Sequence, residues 1–256
     1  MIREMYRNLA RAERLAALRA EVRALESAGP GEGRDYLPFG LDAIDSRLAG
    51  GGLAVAALHE AAGARPGPAD EAAATLFLAS IAARRPGIVL WALARRDLFA
   101  PGLAGAGLAP DRMLYAECGR DEDVLAVMEE GLRHGGLAAV VGEVGRALMP
   151  ATRRLQLAAE EGATSALMLR RRRGGGEDPL AAPSAAVTRW RLACAPASPL
   201  AVPGIGRARW RLALARQRGG APFDLIVETP DAEARLALPA LPQHRPGESD
   251  GERRAA

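Results

Sequence analysis

The chain has 256 residues, of which 49% are hydrophobic, 25% charged and only 4% aromatic, a balance that supports a self-sufficient soluble core built from Leu, Ala, Val and Ile. All 34 basic residues are arginine, so no step that needs a lysine ammonium can occur, and a net charge of +3 is too weak a bias to mark a nucleic-acid binder by itself. Cys118 and Cys194 stand far apart with no CxxC pair or His/Cys cluster, which argues against a zinc site. The Arg- and Glu-rich N-terminus is unlike a secretory signal, and no apolar run reaches the roughly 18 residues of a membrane span. These features describe a reduced, cytoplasmic protein with no metal, no cofactor, no membrane contact and both thiols buried.

The predicted elements follow in chain order. Residues 3–27 read as one helix within an N-terminal unit of residues 1–28, with Leu15, Leu18, Val22 and Leu25 at the spacing of a and d positions and Arg and Glu between them. The stripe is too short for a free coiled coil, so it is a candidate partner-binding surface, for its own domain or for another protein. Residues 29–36 form a Gly- and charge-rich linker. Beyond it, residues 37–228 alternate strand and helix signals: a strand 55–60, a loop 61–70, a helix 71–84, strands 88–93 and 112–117, a helix 121–134, a strand 137–141 apolar enough to be buried on both faces, a helix 147–161 and a strand 165–169. A mobile loop opens at Arg170. Strands 187–193, 209–215 and 223–228 finish the core, and residues 229–256 form a tail, partly disordered. The pattern predicts an α/β fold with a mostly parallel sheet flanked by helices and antiparallel strands at the C-terminal side.

Phe39-Gly40-Leu41-Asp42-Ala43-Ile44-Asp45, then Leu48 and Gly50-Gly51-Gly52-Leu53, resembles the approach to the RecA recombinase core, which leads into the strand before the phosphate-binding loop. Leu214-Ala215-Arg216-Gln217-Arg218-Gly219-Gly220-Ala221-Pro222-Phe223 is similar to the stretch where RecA continues into its last core strand. The two matches bracket residues 37–228 in the correct order. With Leu58-His59-Glu60 after the Gly-rich turn and a long helix before it, the chain most resembles the ImuA family, the RecA-like subunit of a damage-inducible mutagenesis cassette. That resemblance implies two partners: ImuB, a catalytically inactive relative of the Y-family polymerases, and an error-prone replicative-type polymerase. It also implies a role next to RecA or DNA.

A working phosphate loop reads GxxxxGK[ST], with backbone N–H groups around the phosphate, a lysine on the terminal phosphates and a hydroxyl on Mg²⁺. Here Gly63 stands for the first glycine, and Arg65 is the loop's one basic residue. Pro66 and Pro68 remove two N–H donors, and Asp70 and Glu71 put negative charge where phosphate would sit. The next acidic position fails too: strand 137–141 runs into Gly142, and Glu143 comes one place late, where it reads as a surface carboxylate. Ala94 and Arg95 follow strand 88–93, where RecA has its water-activating glutamate. A degenerate, non-catalytic nucleotide site of Gly63, Arg65 and Glu143 is expected, so the protein is not read as an enzyme.

Arg170, Arg171, Arg172 and Arg173 sit where RecA-like proteins carry a DNA-binding loop and are candidate DNA contacts. A solvated charged loop explains them equally well. In the tail, Leu236, Leu238 and Leu241 are candidate partner contacts or a cover for the sheet edge. His59 has no GxSxG elbow to support a hydrolase triad, and His134 fits the dipole of a helix C-terminus. The preferred reading is an ImuA-like adaptor joining a recombinase or DNA to translesion polymerases. The alternative, in another class, is a SulA-like inhibitor of cell division acting on the FtsZ filament; the long N-terminal helix and the fuller core favour the first.

Overall fold

A computed structural model describes residues 35–172, 177–197, 204 and 206–239. Its centre is an eight-stranded sheet in the order β10-β9-β8-β3-β7-β6-β4-β5. The parallel part comprises β3 (Leu58–Gly63), β4 (Val89–Leu93), β5 (Met113–Glu117), β6 (Ala139–Val144), β7 (Ser165–Arg170) and β8 (Thr188–Ala195). Antiparallel β9 (Arg209–Gln217) and β10 (Phe223–Glu228) extend it beyond β8. Tyr36–Leu37 (β1) and Leu53–Ala54 (β2) make a separate two-stranded pair, so the predicted linker already enters regular structure at its last residue. This is the RecA-like core that the sequence predicts.

Two helical layers close the sheet. Helix α2 (Pro68–Ala83) follows the short α1 (Asp42–Asp45) and covers one face, where Phe77, Leu78 and Ile81 pack with Trp91, Val141, Leu167, Trp190 and Leu212. After α3 (Ala100–Gly105), helices α4 (Asp121–Arg133) and α5 (Met149–Glu161) cover the other face over Val140, Ala166 and Met168. The few aromatics carry more of the core than composition suggested. Trp190 meets Phe77 at 5.5 Å, Phe39 at 5.9 Å and Phe223 at 6.0 Å between ring centroids, so one cluster ties the N-terminal approach, α2 and the antiparallel strands together.

The stretch that carried the RecA resemblance has a local physical task. The Asp45 carboxylate accepts the backbone N–H groups of Phe39 (2.6 Å), Gly40 (2.8 Å) and Leu41 (3.1 Å), which fixes the turn that delivers Phe39 to the aromatic cluster. His59 lies in β3 within a chain of hydrogen bonds. Its Nε2 sits 2.8 Å from the Ala54 carbonyl, which can only accept, so Nδ1 is the acceptor for the Thr188 hydroxyl at 2.7 Å. Trp190 Nε1 donates to that hydroxyl oxygen at 2.8 Å.

The tail begins as part of the core. Asp231 Oδ1 accepts the N–H groups of Glu233 and Arg235, closing a turn, and Glu228 bridges to Ala237. Leu236 is therefore 6% exposed within the main apolar cluster and no free partner contact, whereas Leu238 is 48% exposed. Leu15, Leu18, Val22, Leu25 and Leu241 lie outside the described residues. Among the described residues, no helix is long and apolar enough to cross a membrane.

Two outcomes follow. Replacing Leu236 with Ala should cost about 2–4 kcal/mol in denaturant unfolding, while Leu238→Ala should stay within about 0.5 kcal/mol. Burial pushes the His59 imidazole down to about 4 from its ordinary 6.5. Below pH 6.5 the unfolded chain takes up a proton that the folded chain refuses, so stability falls as pH drops from 6.5 to about 4, by about 3 kcal/mol in total. The same unfolding curves at pH 7 and pH 4.5 should show a smaller acid loss for His59→Gln than for the parent.

Candidate functional site

In a parallel sheet, ligand chemistry gathers at the carboxyl ends of the strands, where loops meet helix N-termini. Here that crevice lies beyond the ends of β3, β4, β6 and β7. Gly63 closes β3, and a Cβ there would fall 2.9 Å from the Asp70 carbonyl carbon, so glycine lets α2 start this close to the strand. Gly67, at φ +125°, makes the turn into the helix. The loop between them is short of amides for a phosphate. The N–H of Ala64 is bonded to Leu192 O of β8 at 2.8 Å, and residues 66 and 68 are prolines.

What this loop holds is the carboxylate of Asp70, in the first turn of α2. Asp70 Oδ2 accepts from Arg65 N (3.1 Å) and Nε (2.8 Å), and Oδ1 accepts from Arg65 Nη2 (3.0 Å) and Cys194 N (2.8 Å). The Arg65 guanidinium bonded to it holds the carboxyl below the usual carboxylate range, despite its burial. Arg65 Nη2 also reaches Cys194 O at 3.0 Å. An internal anion thus stands at the helix N-terminus, with one arginine closed over it.

The next position is filled from the opposite direction. Strand β6 does not stop at Gly142. A Cβ at Gly142 would overlap Met128 of α4, so that residue faces the α4 side and Glu143 faces the α2 side, by the alternation of a strand. Glu143 is 5% exposed, which corrects its reading as a surface carboxylate. Its Oε1 accepts from Trp91 Nε1 at 2.7 Å, and its Oε2 accepts from Arg171 Nε (2.9 Å) and Nη2 (2.6 Å). Arg171 also reaches Glu71 at 3.2 Å and Asp97 at 3.3 Å, so one guanidinium gathers acids from β6, α2 and the segment after β4. The cavity left here measures about 70 Å³, room for a few waters.

The arginine run therefore does not behave as one solvated loop. Arg170 is the last residue of β7 and is buried. It lies 3.5 Å from Glu60, a fully buried carboxylate that accepts from Arg189 Nε (2.7 Å) and Ser184 Oγ (2.7 Å). Among the described residues, Arg170 Nε and Arg189 Nη2 find no hydrogen-bond partner, and two cations crowd around this carboxylate. Arg171 is half-buried in the cluster just described. Arg172 donates to Glu177 O at 2.7 Å and lies 3.4 Å from Ala64 O, and Arg173 lies outside the described residues. Arg170 thus belongs to β7 and not to the expected mobile loop, and Ser184 is buried. The thiols depart from expectation too: Cys118 is half-buried and Cys194 exposed, the latter in β8 beyond the end of β3, where its N–H reaches Asp70.

No protein-family model matches the chain. It is 37% identical over 205 residues to Protein ImuA of Caulobacter vibrioides, in two strains, an alignment that covers 77% of this chain and 84% of that protein. The chain belongs to the ImuA family. The family takes part in damage-inducible mutagenesis, and the filled crevice is what this ImuA chain carries where the fold would place a nucleotide. Sequence reading met Asp70 only as a charge hostile to phosphate; the five-residue spacing from Arg65 was the available sign that the two could pair. Glu60 and the partners of Arg171 left no such sign, since each pair joins distant segments.

Removing the shared cation should expose the strain of this arrangement. Arg171→Met should cost on the order of 3 kcal/mol by leaving Glu143 buried without its counter-charge. Adding Glu143→Gln, which keeps an acceptor for Trp91, should return part of that loss. The two unfolding midpoints check this; equal stability for the single and double variants would contradict it.

Proposed function

We propose that this chain is a non-catalytic RecA-like accessory protein of the mutagenesis response, one that binds partners and does not turn over nucleotide. The observation that carries the reading is the filled crevice: Asp70 takes the donors of the phosphate loop, and Arg171 takes Glu143. A nucleoside triphosphate would have to displace a bidentate arginine–carboxylate pair at the loop and break a half-buried ion cluster beside it, with no lysine to receive the phosphates. In the resulting picture, the fold is retained for its surfaces. The partners are those that the family resemblance implies, an inactive Y-family polymerase relative like ImuB and an error-prone replicative-type polymerase, with a recombinase or DNA on the other side. A SulA-like action on FtsZ draws no support from the ImuA relatives.

The DNA side of this adaptor reading rests on fewer arginines than the run 170–173 offers by count. Arg170 and Arg171 are engaged inside the protein, so DNA binding there would draw on Arg146 and Arg172, which line the neighbouring cleft, together with the next residue in sequence, Arg173. Each arginine that neutralises a phosphate steepens the fall of log K with log salt by roughly 0.9 on duplex DNA. Arg172→Ala with Arg173→Ala should remove roughly 1.8 of that slope, and an unchanged slope would take this segment out of DNA binding.

The reading is tested with purified protein and ATP. No hydrolysis above background is expected, and no change in thermal midpoint on adding ATP with Mg²⁺. Turnover that disappears in Glu143→Gln would overturn it. Capture from DNA-damaged cells should bring down the polymerase partners equally well with and without ATP.

A further inference from the structure

At the pole of the sheet opposite the filled crevice, a cleft of about 630 Å³ opens where β3 and β7 begin. Asp35, Ala54, Val55, Arg85, Glu160 and Ala163 line it. Asp35 is pinned there, because its carbonyl accepts the Val55 N–H at 2.9 Å. Residues 1–34 therefore join the core at the wall of this cleft. We propose that the cleft is the docking surface for the chain's own N-terminal segment, and that the stripe Leu15, Leu18, Val22 and Leu25 packs into it in cis.

Between Leu25 and Asp35 the chain can span up to about 33 Å, whereas the stripe, as a helix, covers about 15 Å. The linker is long enough to reverse direction and lay the helix across the cleft. A tether this short holds the stripe at an effective concentration in the millimolar range, which a free partner would have to exceed or outbind. The lining includes the small apolar side chains of Ala54, Val55 and Ala163, which would receive the branched ends of Leu and Val. The lining carries two acids, Asp35 and Glu160, and one cation, Arg85, and the stripe is flanked by both signs, with Arg19 and Arg23 beside Glu21 and Glu26. The Arg85 guanidinium makes one long bond, to Ala138 O at 3.5 Å, among the described residues, so it can take a carboxylate without giving up a strong partner. An amphipathic helix of this length is marginal alone in water and gains its stability by burying such a stripe.

The test is a cysteine pair in the full chain. Cys118 and Cys194 are first replaced by Ala and Ser, with the thermal midpoint confirming the fold. Ala163→Cys is then combined with Glu21→Cys or Glu26→Cys and oxidised across a dilution series. The expected result is a disulfide-closed monomer, seen by non-reducing electrophoresis and mass, whose yield does not depend on protein concentration. Adding Leu18→Asp and Val22→Asp should slow the closure by roughly tenfold or more, while the reduced protein keeps its midpoint. A control thiol at the opposite pole, Leu148→Cys, should close much more slowly. A cross-link found only at dimer mass would give the cleft to a second copy and overturn the proposal. So would no cross-link, closure indifferent to the two aspartates, or equal closure at Leu148.

Discussion

A carboxylate taken out of water needs a counter-charge and donors for its oxygens, and this protein is organised around that requirement. Asp70, Glu143 and Glu60 are all buried, and each is met by arginine: Arg65, Arg171 and Arg189. These pairs sit along the sheet from β6 to β8, so they join elements that the apolar core alone would leave free to slide. Arginine suits the task better than lysine would, because its planar fork satisfies two oxygens at once, as at Asp70, and can span several acids, as Arg171 does.

The placement of these pairs accounts for how the fold departs from a nucleotide-binding machine. A phosphate loop presents backbone amides and a cation to an external anion. Here the anion is internal and covalently fixed in the first turn of α2, and β8 donates an amide to it as well. The position that would hold a metal-linked acid carries Glu143, but its oxygens are shared between Trp91 and Arg171. The two halves of the crevice are closed by the same chemistry with opposite polarity: a tethered carboxylate in one, a tethered guanidinium in the other. The sheet is thereby braced at the carboxyl ends of its strands by the chain's own side chains.

The Glu60 centre shows the cost of this design. One carboxylate faces Arg170 and Arg189, and a donor on each arginine is left without a partner among the described residues. Buried polar atoms left unsatisfied are destabilising, so this cluster contributes register and direction to β3, β7 and β8 more than net stability. His59, one residue earlier in β3 and pointing to the other side, is fully satisfied by Thr188 and Ala54 and serves the same register on the opposite face.

The sequence by itself determined the architecture. Alternating strand and helix periods and the late antiparallel strands specify a mostly parallel sheet, because these signals are local and repeat at 2.0 and 3.6 residues, and the stretches at 39–53 and 214–223 added the resemblance to RecA. It also showed that the phosphate loop lacks its lysine, since that is a matter of residue identity. Only the tertiary structure decided what fills the vacated chemistry. Whether Glu143 is on the surface or buried depends on one further residue of strand and on the face that Gly142 gives to Met128. Whether Arg170 and Arg171 belong to a solvated loop or enter the interior depends on carboxylates 110 and 28 positions away in the chain, Glu60 for Arg170 and Glu143 for Arg171. Leu236 likewise joins the core only because the turn at Asp231 folds it back. Pairing between distant charges has no period and no fixed spacing, so it is invisible along the chain and becomes legible only once the sheet has brought the segments together.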